Sequence, residues 1–128
     1  MTLNYTQIDT LMRGLEELQD SKVPFKLGMI IAKNLTALKK EEEFYIDQER
    51  KFALEYLKFD AEKQEFVQNA PGVFAIQEGK EEECRKARQD LNDFTADLEL
   101  RKIPLALIEN MEFTPKQLLA LEMLIEEE

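Results

Sequence analysis

The chain has no histidine, a single cysteine, and no apolar run near the length of a membrane span. Each absence excludes something. Without histidine, the commonest general base and the commonest transition-metal ligand are gone. Serine or cysteine nucleophiles that work through histidine go with them. One cysteine, Cys84, excludes an internal disulfide framework. A transmembrane helix needs close to 20 consecutive apolar residues, so no span and no membrane partner are expected. The first residues, MTLNYTQIDTLMRGLEEL, lack a basic stretch followed by an apolar one, so no secretory signal is expected. These features fit the cytoplasm. There is no internal repeat and no low-complexity linker, so residues 1–128 read as one domain.

Clustered positive charge is also missing. Seventeen Lys and Arg face 27 Asp and Glu, for a formal net charge of −10. The densest basic pair, Lys39 and Lys40, is followed at once by Glu41, Glu42 and Glu43. Phosphate backbones are bound by clustered cations that displace counterions. Direct nucleic-acid binding is therefore not expected.

What is present is helical. With 44% apolar residues the chain has enough material for one core. Ile8, Leu11, Met12, Leu15 and Leu18 recur at helical steps, after a start at or just before Thr6 with Thr6 and Asp9 at capping-box spacing. Gly14 interrupts this helix at a cost of about 1 kcal/mol. From Pro24 to Lys58 the pattern reads as one unbroken helix of about 35 residues, about 50 Å long. A domain of this size has a radius of gyration of only about 14 Å. Such a helix suits contact with a partner better than enclosure of a substrate. Its first half carries Leu27, Ile30, Ile31, Leu35 and Leu38, a stripe that can pair with the first helix as an antiparallel hairpin.

Beyond residue 58 the period fails. Glu65–Gln68 and Val73–Ile76 flank Asn69-Ala-Pro-Gly72, which reads as a small β-hairpin. A helix resumes near Lys80, with Cys84, Ala87, Leu91 and Phe94 on one face. Within Thr95–Ile103, Leu98 and Leu100 alternate with Asp97, Glu99 and Arg101, which suits a short strand with one buried face; Pro104 then stops regular pairing, and Leu105–Asn110 reads as a helical turn. The last helix has the plainest signal. Thr114 is its N-cap, Pro115 its first residue and Gln117 completes the box, with Phe113 and Leu118 at the staple positions. Leu118, Leu121, Leu124 and Ile125 form its expected buried face, and Glu126–Glu128 its fraying acidic end.

The expected fold is mainly α. An antiparallel αα-hairpin with one overlong helix fills residues 1–58. A small β-hairpin or loop follows over 59–79. Residues 80–128 give a helix, a short strand and a C-terminal capping helix.

Few constellations carry chemistry. Glu78 with Glu81 has the ExxE spacing, and Glu17 with Asp20 the ExxD spacing, by which all-helical nucleotide pyrophosphohydrolases hold magnesium. Their order is reversed and both lie at expected helix ends. Among 27 acids such spacings arise by chance. A di-iron bundle needs Glu-x-x-His. No metal or cofactor is expected, and the chain reads as a non-enzyme, with a carboxylate-dependent nucleotide hydrolase the least favoured reading. Cys84 lies on an apolar face, as a buried structural thiol does, and a nucleophile would need exposure.

Two surfaces remain. The acidic clusters Glu41, Glu42, Glu43 and Glu81, Glu82, Glu83 could imitate DNA phosphates toward a basic groove, although a solvated helix face accounts for them and interspersed lysines dilute the field. The aromatics Phe44, Tyr45, Phe52 and Tyr56 are the better candidates for a protein interface, because buried aromatics anchor interfaces. Packing within the monomer is the alternative.

The segments PFKLGMIIAKNLTALKKEEEFYIDQERKFALEYL and IPLALIENMEFTPKQLLALEMLIEEE, joined through a short hairpin, resemble small uncharacterised helical proteins of tailed phages and prophages of Gram-positive bacteria. That resemblance implies a phage-encoded protein that binds a phage or host protein, or itself as a homo-oligomer, in the bacterial cytoplasm. Accessory or assembly factors and inhibitors of host nucleic-acid-binding or defence enzymes both fit it.

Overall fold

The first helix starts on an asparagine. In the computed structural model, which describes residues 1–126, the Asn4 side chain accepts a hydrogen bond from the Gln7 amide at 2.8 Å. The Gln7 side chain accepts one in return from the Asn4 amide at 2.9 Å. This capping box starts helix α1 at Tyr5–Gln19, upstream of the expected Thr6–Asp9 pair. Glutamine has the reach to close such a box and the shorter aspartate does not. Ile8, Leu11, Met12, Leu15 and Leu18 are all buried, as their period predicts.

Helix α1 packs on the last helix, and Gly14 is the reason it can. A Cβ built on Gly14 would overlap the Ala120 side chain and come within 2.8 Å of the Lys116 carbonyl. Gly14 is thus a close-contact residue, and its propensity cost secures the helix–helix approach.

Helix α2 follows at Phe25–Tyr56, 32 residues. Leu27, Ile31, Leu35 and Leu38 are buried. Asn34 is buried among them, and its amide does the work of a strand edge. Its nitrogen donates to the Arg101 carbonyl at 3.0 Å and its oxygen accepts from the Arg101 amide at 2.8 Å.

The remaining helices are α3, Glu81–Asp93, and α4, Pro115–Leu124. Helix α4 begins as the sequence spells it. The Thr114 hydroxyl accepts from the Gln117 amide at 3.3 Å and the Gln117 side chain from the Thr114 amide at 2.9 Å. Its buried face differs from the expected one: Gln117, Ala120, Leu121 and Leu124 are inside, and Leu118 is exposed. Turning small Ala120 toward Gly14 turns Leu118 outward. Nor does the helix run on to an acidic end. Ile125–Glu126 form a strand paired in parallel with Ile103–Pro104, while Glu127 and Glu128 lie outside the described residues.

The strands are short and numbered in chain order: β1 Thr2–Asn4, β2 Phe59–Asp60, β3 Glu65–Phe66, β4 Gln68–Ala70, β5 Val73–Phe74, β6 Thr95–Asp97, β7 Ile103–Pro104 and β8 Ile125–Glu126. Strand β6 pairs antiparallel with β1, a strand too short to show an alternation. The short strand expected within Thr95–Ile103 thus occupies the start of that segment, ahead of the Leu98–Leu100 alternation, with Leu98 buried just past its end. A 3-10 turn occupies Leu105–Leu107.

The chain divides into two compact units, Phe44–Phe94 and the remainder, and α2 contributes to both. The first unit holds most of the buried apolar side chains, from Leu3 through Leu38 and from Ala96 through Leu124. In the second, among the described residues, only Tyr45, Ala75 and Cys84 of the apolar residues are fully buried.

Where one β-hairpin was expected, the second unit has two, β2–β3 and β4–β5. The second turns at Pro71-Gly72, where Gly72 has φ 78°. The first turns without proline or glycine. The Asp60 carboxylate accepts from the Glu62 and Lys63 amides at 3.0 and 3.2 Å, and Gln64 takes φ 57°. That turn closes on side-chain chemistry rather than on a dipeptide signal. The strands meet in a closed triangle of backbone bonds, Lys58 to Ala75, Ala75 to Val67 and Val67 to Lys58, each 2.9 Å.

Candidate protein-docking groove

On α2, Phe44, Gln48, Phe52 and Tyr56 recur at four-residue steps and so form one ridge. Across from them stand Ala87, Asp90 and Leu91 of α3 and Phe94 just past its end. Together with Lys51 and Glu55 they line an open groove of about 370 Å3 within the second unit.

The two helices are fixed beside the groove by one polar clasp. Arg88 donates to both oxygens of Glu49, at 2.8 and 2.7 Å, and its guanidinium lies 4.2 Å from the Phe52 ring centroid. The bond from Arg88 holds the Glu49 carboxyl below its ordinary pKa, against a smaller opposing effect of burial. It holds the Arg88 guanidinium above its own. The paired planes and the stacked ring make the clasp directional, as bidentate arginine contacts are.

One end of the groove is an aromatic cluster. The Phe44 and Phe94 ring centroids are 5.8 Å apart and those of Tyr45 and Phe94 5.7 Å. The Tyr45 hydroxyl donates to the Phe94 carbonyl at 3.1 Å. Tyr45 is buried, whereas Phe44 and Phe94 are each 43% exposed. At the other end the Phe52 and Tyr56 ring centroids are 5.3 Å apart, with the planes tilted by 48°. There the Lys80 ammonium lies 6.0 Å from the Tyr56 ring centroid and donates to the Glu55 carbonyl at 3.0 Å. Desolvation, with the nearby charges of Glu55 and Glu83, raises the Tyr56 pKa.

Of the four aromatics picked out from the sequence, then, Phe44, Phe52 and Tyr56 line one groove, and Tyr45 braces it from inside. Sequence reasoning missed the opposing wall. The spacing of Ala87, Leu91 and Phe94 was legible as a helix face, but nothing local says which helix it meets. The Glu49–Arg88 clasp, spanning 39 positions, has no sequence signal.

The acids do not converge on one spot within either unit. Glu41, Glu42 and Glu43 belong to the first unit and Glu81, Glu82 and Glu83 to the second. The latter three occupy the first turn of α3, where negative charge favours the helix dipole. Cys84 is a free, buried thiol. Among the described residues no group of three or more cysteines or carboxylates is placed to hold a metal ion. No helix among them is long and apolar enough to cross a membrane.

Searches against protein-family models, curated proteins and solved structures return no match for this chain.

Proposed function

We propose that this chain is a non-enzymatic protein-binding protein, an accessory or assembly factor of the kind tailed phages encode, that docks a phage or host protein in the groove between α2 and α3. The observation that carries this reading is the set of half-exposed aromatics at an open apolar groove. Phe44 and Phe94 are held in place by ring contacts and by the Tyr45 hydrogen bond, so a partner meets a preformed surface. Phe44 and Phe94 are each 43% exposed, so covering what remains of one such ring is worth roughly 1 kcal/mol, and the rings anchor a partner whose wider contacts must offset the association cost. The antiparallel pairing of α1 with the first half of α2, leaving the second half as an overlong arm for contact, belongs to the same proposal. So does action in the bacterial cytoplasm.

The test is a tagged pull-down from the native host, with and without phage induction, comparing the natural chain with Phe44→Ser and Leu91→Glu. The expected result is a specific partner, retained in high salt and lost from both variants while their circular dichroism stays native. Equal retention of that partner by the folded variants would remove the groove from the function.

A further inference from the structure

The groove's lining describes the partner's shape and charge. We infer that it takes an amphipathic helix of a partner protein whose apolar face is flanked by lysine or arginine. The inference rests on the protein-docking reading above and adds the chemistry of what docks.

The shape follows from spacing. Both walls are helices, and their lining positions follow the helical repeat: 44, 48, 51 and 55 on α2, and 87 with 90 and 91 on α3, with Phe94 just past the end of α3. Two helices side by side, each turning a helical stripe toward a shared open seam, present the ridges and grooves that a third helix fills in a bundle. Between Phe44 and Tyr56 the seam runs for about 18 Å, enough for about three turns of a docked helix.

The charge follows from which side chains are already neutralised. The lining holds Lys51, Glu55 and Asp90. Lys51 is partly neutralised by Asp47 at 3.2 Å, a carboxylate it shares with Arg50 at 2.7 Å. Glu55 and Asp90 are in no ion pair among the described residues. Lys80 is engaged at one end, on the Glu55 carbonyl and the Tyr56 ring. The Glu55 carboxylate accepts from the Tyr56 hydroxyl, which leaves its charge in place, so one carboxylate without a cation partner stands on each wall with apolar lining between them, and the whole chain carries −10. A helix with apolar residues inward and cations along both edges satisfies all of these groups. An acidic helix leaves two like-charged contacts, which selects against it.

The experiment titrates the full chain against labelled amphipathic helical peptides of leucine with lysine, with glutamine or with glutamate, followed by fluorescence anisotropy at low and at about 0.15 M salt. The lysine peptide should bind about tenfold more tightly than the glutamine peptide, and the glutamate peptide weakest. The double variant Glu55→Lys with Asp90→Lys should erase that preference. Glu62→Lys with Glu65→Lys, which changes net charge equally outside the groove, should leave it. If the two double variants weaken the lysine peptide alike, attraction to a uniformly acidic surface explains the binding, and the inference fails. If the glutamine peptide binds as well as the lysine one and Phe44→Ser abolishes both, the basic partner is refuted while protein docking stands. If no peptide responds to Phe44→Ser, both are refuted. A mass that doubles with concentration and reverts in Leu91→Glu would assign the groove to a second copy and also overturn the inference.

Discussion

Single residues here act through the groups they leave satisfied or the space they leave empty. Gly14 shows the second. In an isolated helix, Gly14→Ala would gain about 1 kcal/mol. In this fold the added methyl would meet the Ala120 side chain and the Lys116 carbonyl. A backbone carbonyl cannot step aside, so we expect a net loss of about 1–3 kcal/mol by urea unfolding. A gain in stability would mean that α1 and α4 do not touch there. Asn34 shows the first. Asn34→Ala strands the Arg101 amide and carbonyl, and should cost about 1–3 kcal/mol. Thr114→Ala removes a side-chain acceptor from the first turn of α4 and should cost about 1 kcal/mol. An unchanged denaturation midpoint in that variant would place the helix start elsewhere.

Elements are joined more by a few directional contacts than by extended sheets. The pair α2 and α3 depends on the Glu49–Arg88 clasp, which has a pH signature. Because Arg88 holds the Glu49 pKa below the ordinary 4.5, the folded state binds this proton less readily than the unfolded one. The contribution to stability is fully present above that ordinary value and is lost as pH falls through the depressed one. Melting temperature should therefore drop on acidification below about pH 4.5, and Glu49→Gln should flatten that part of the curve. The same slope in both proteins would assign the acid transition to other carboxylates. Since the pair is partly exposed, its worth at neutral pH is about 1 kcal/mol. Arg88→Ala costs the stacking on Phe52 as well.

At the scale of the whole molecule the two units differ in how much they bury. The first has a full apolar core, whereas among described apolar residues the second fully buries only Tyr45, Ala75 and Cys84. Stability within one protein is uneven, and thinly packed regions open first. Amide hydrogen exchange should accordingly be faster across Phe44–Phe94 than across Tyr5–Leu18, and a helix seated in the groove should slow it there. Uniform protection in the free protein would contradict the thin packing. A segment left thin and aromatic is a segment with something to gain from a partner, which links the energetics of this unit to the proposed docking.

The sequence by itself determined the local events. It set the apolar period of α1, the Thr114–Gln117 box, the turn at Pro71-Gly72 and the mainly helical class, because each depends on residues within a few positions of one another. Phe44, Phe52 and Tyr56 could be picked out as surface candidates for the same reason. Tertiary structure decided what lies across from them. It put Leu91 and Phe94 opposite that ridge, drew Tyr45 inside, turned Leu118 out so that Ala120 could reach Gly14, and closed a hairpin on Asp60 where no turn dipeptide stands. Period and capping are short-range properties of one chain segment. Which two faces meet is settled only by the packing of all segments together, and the groove exists only after that choice.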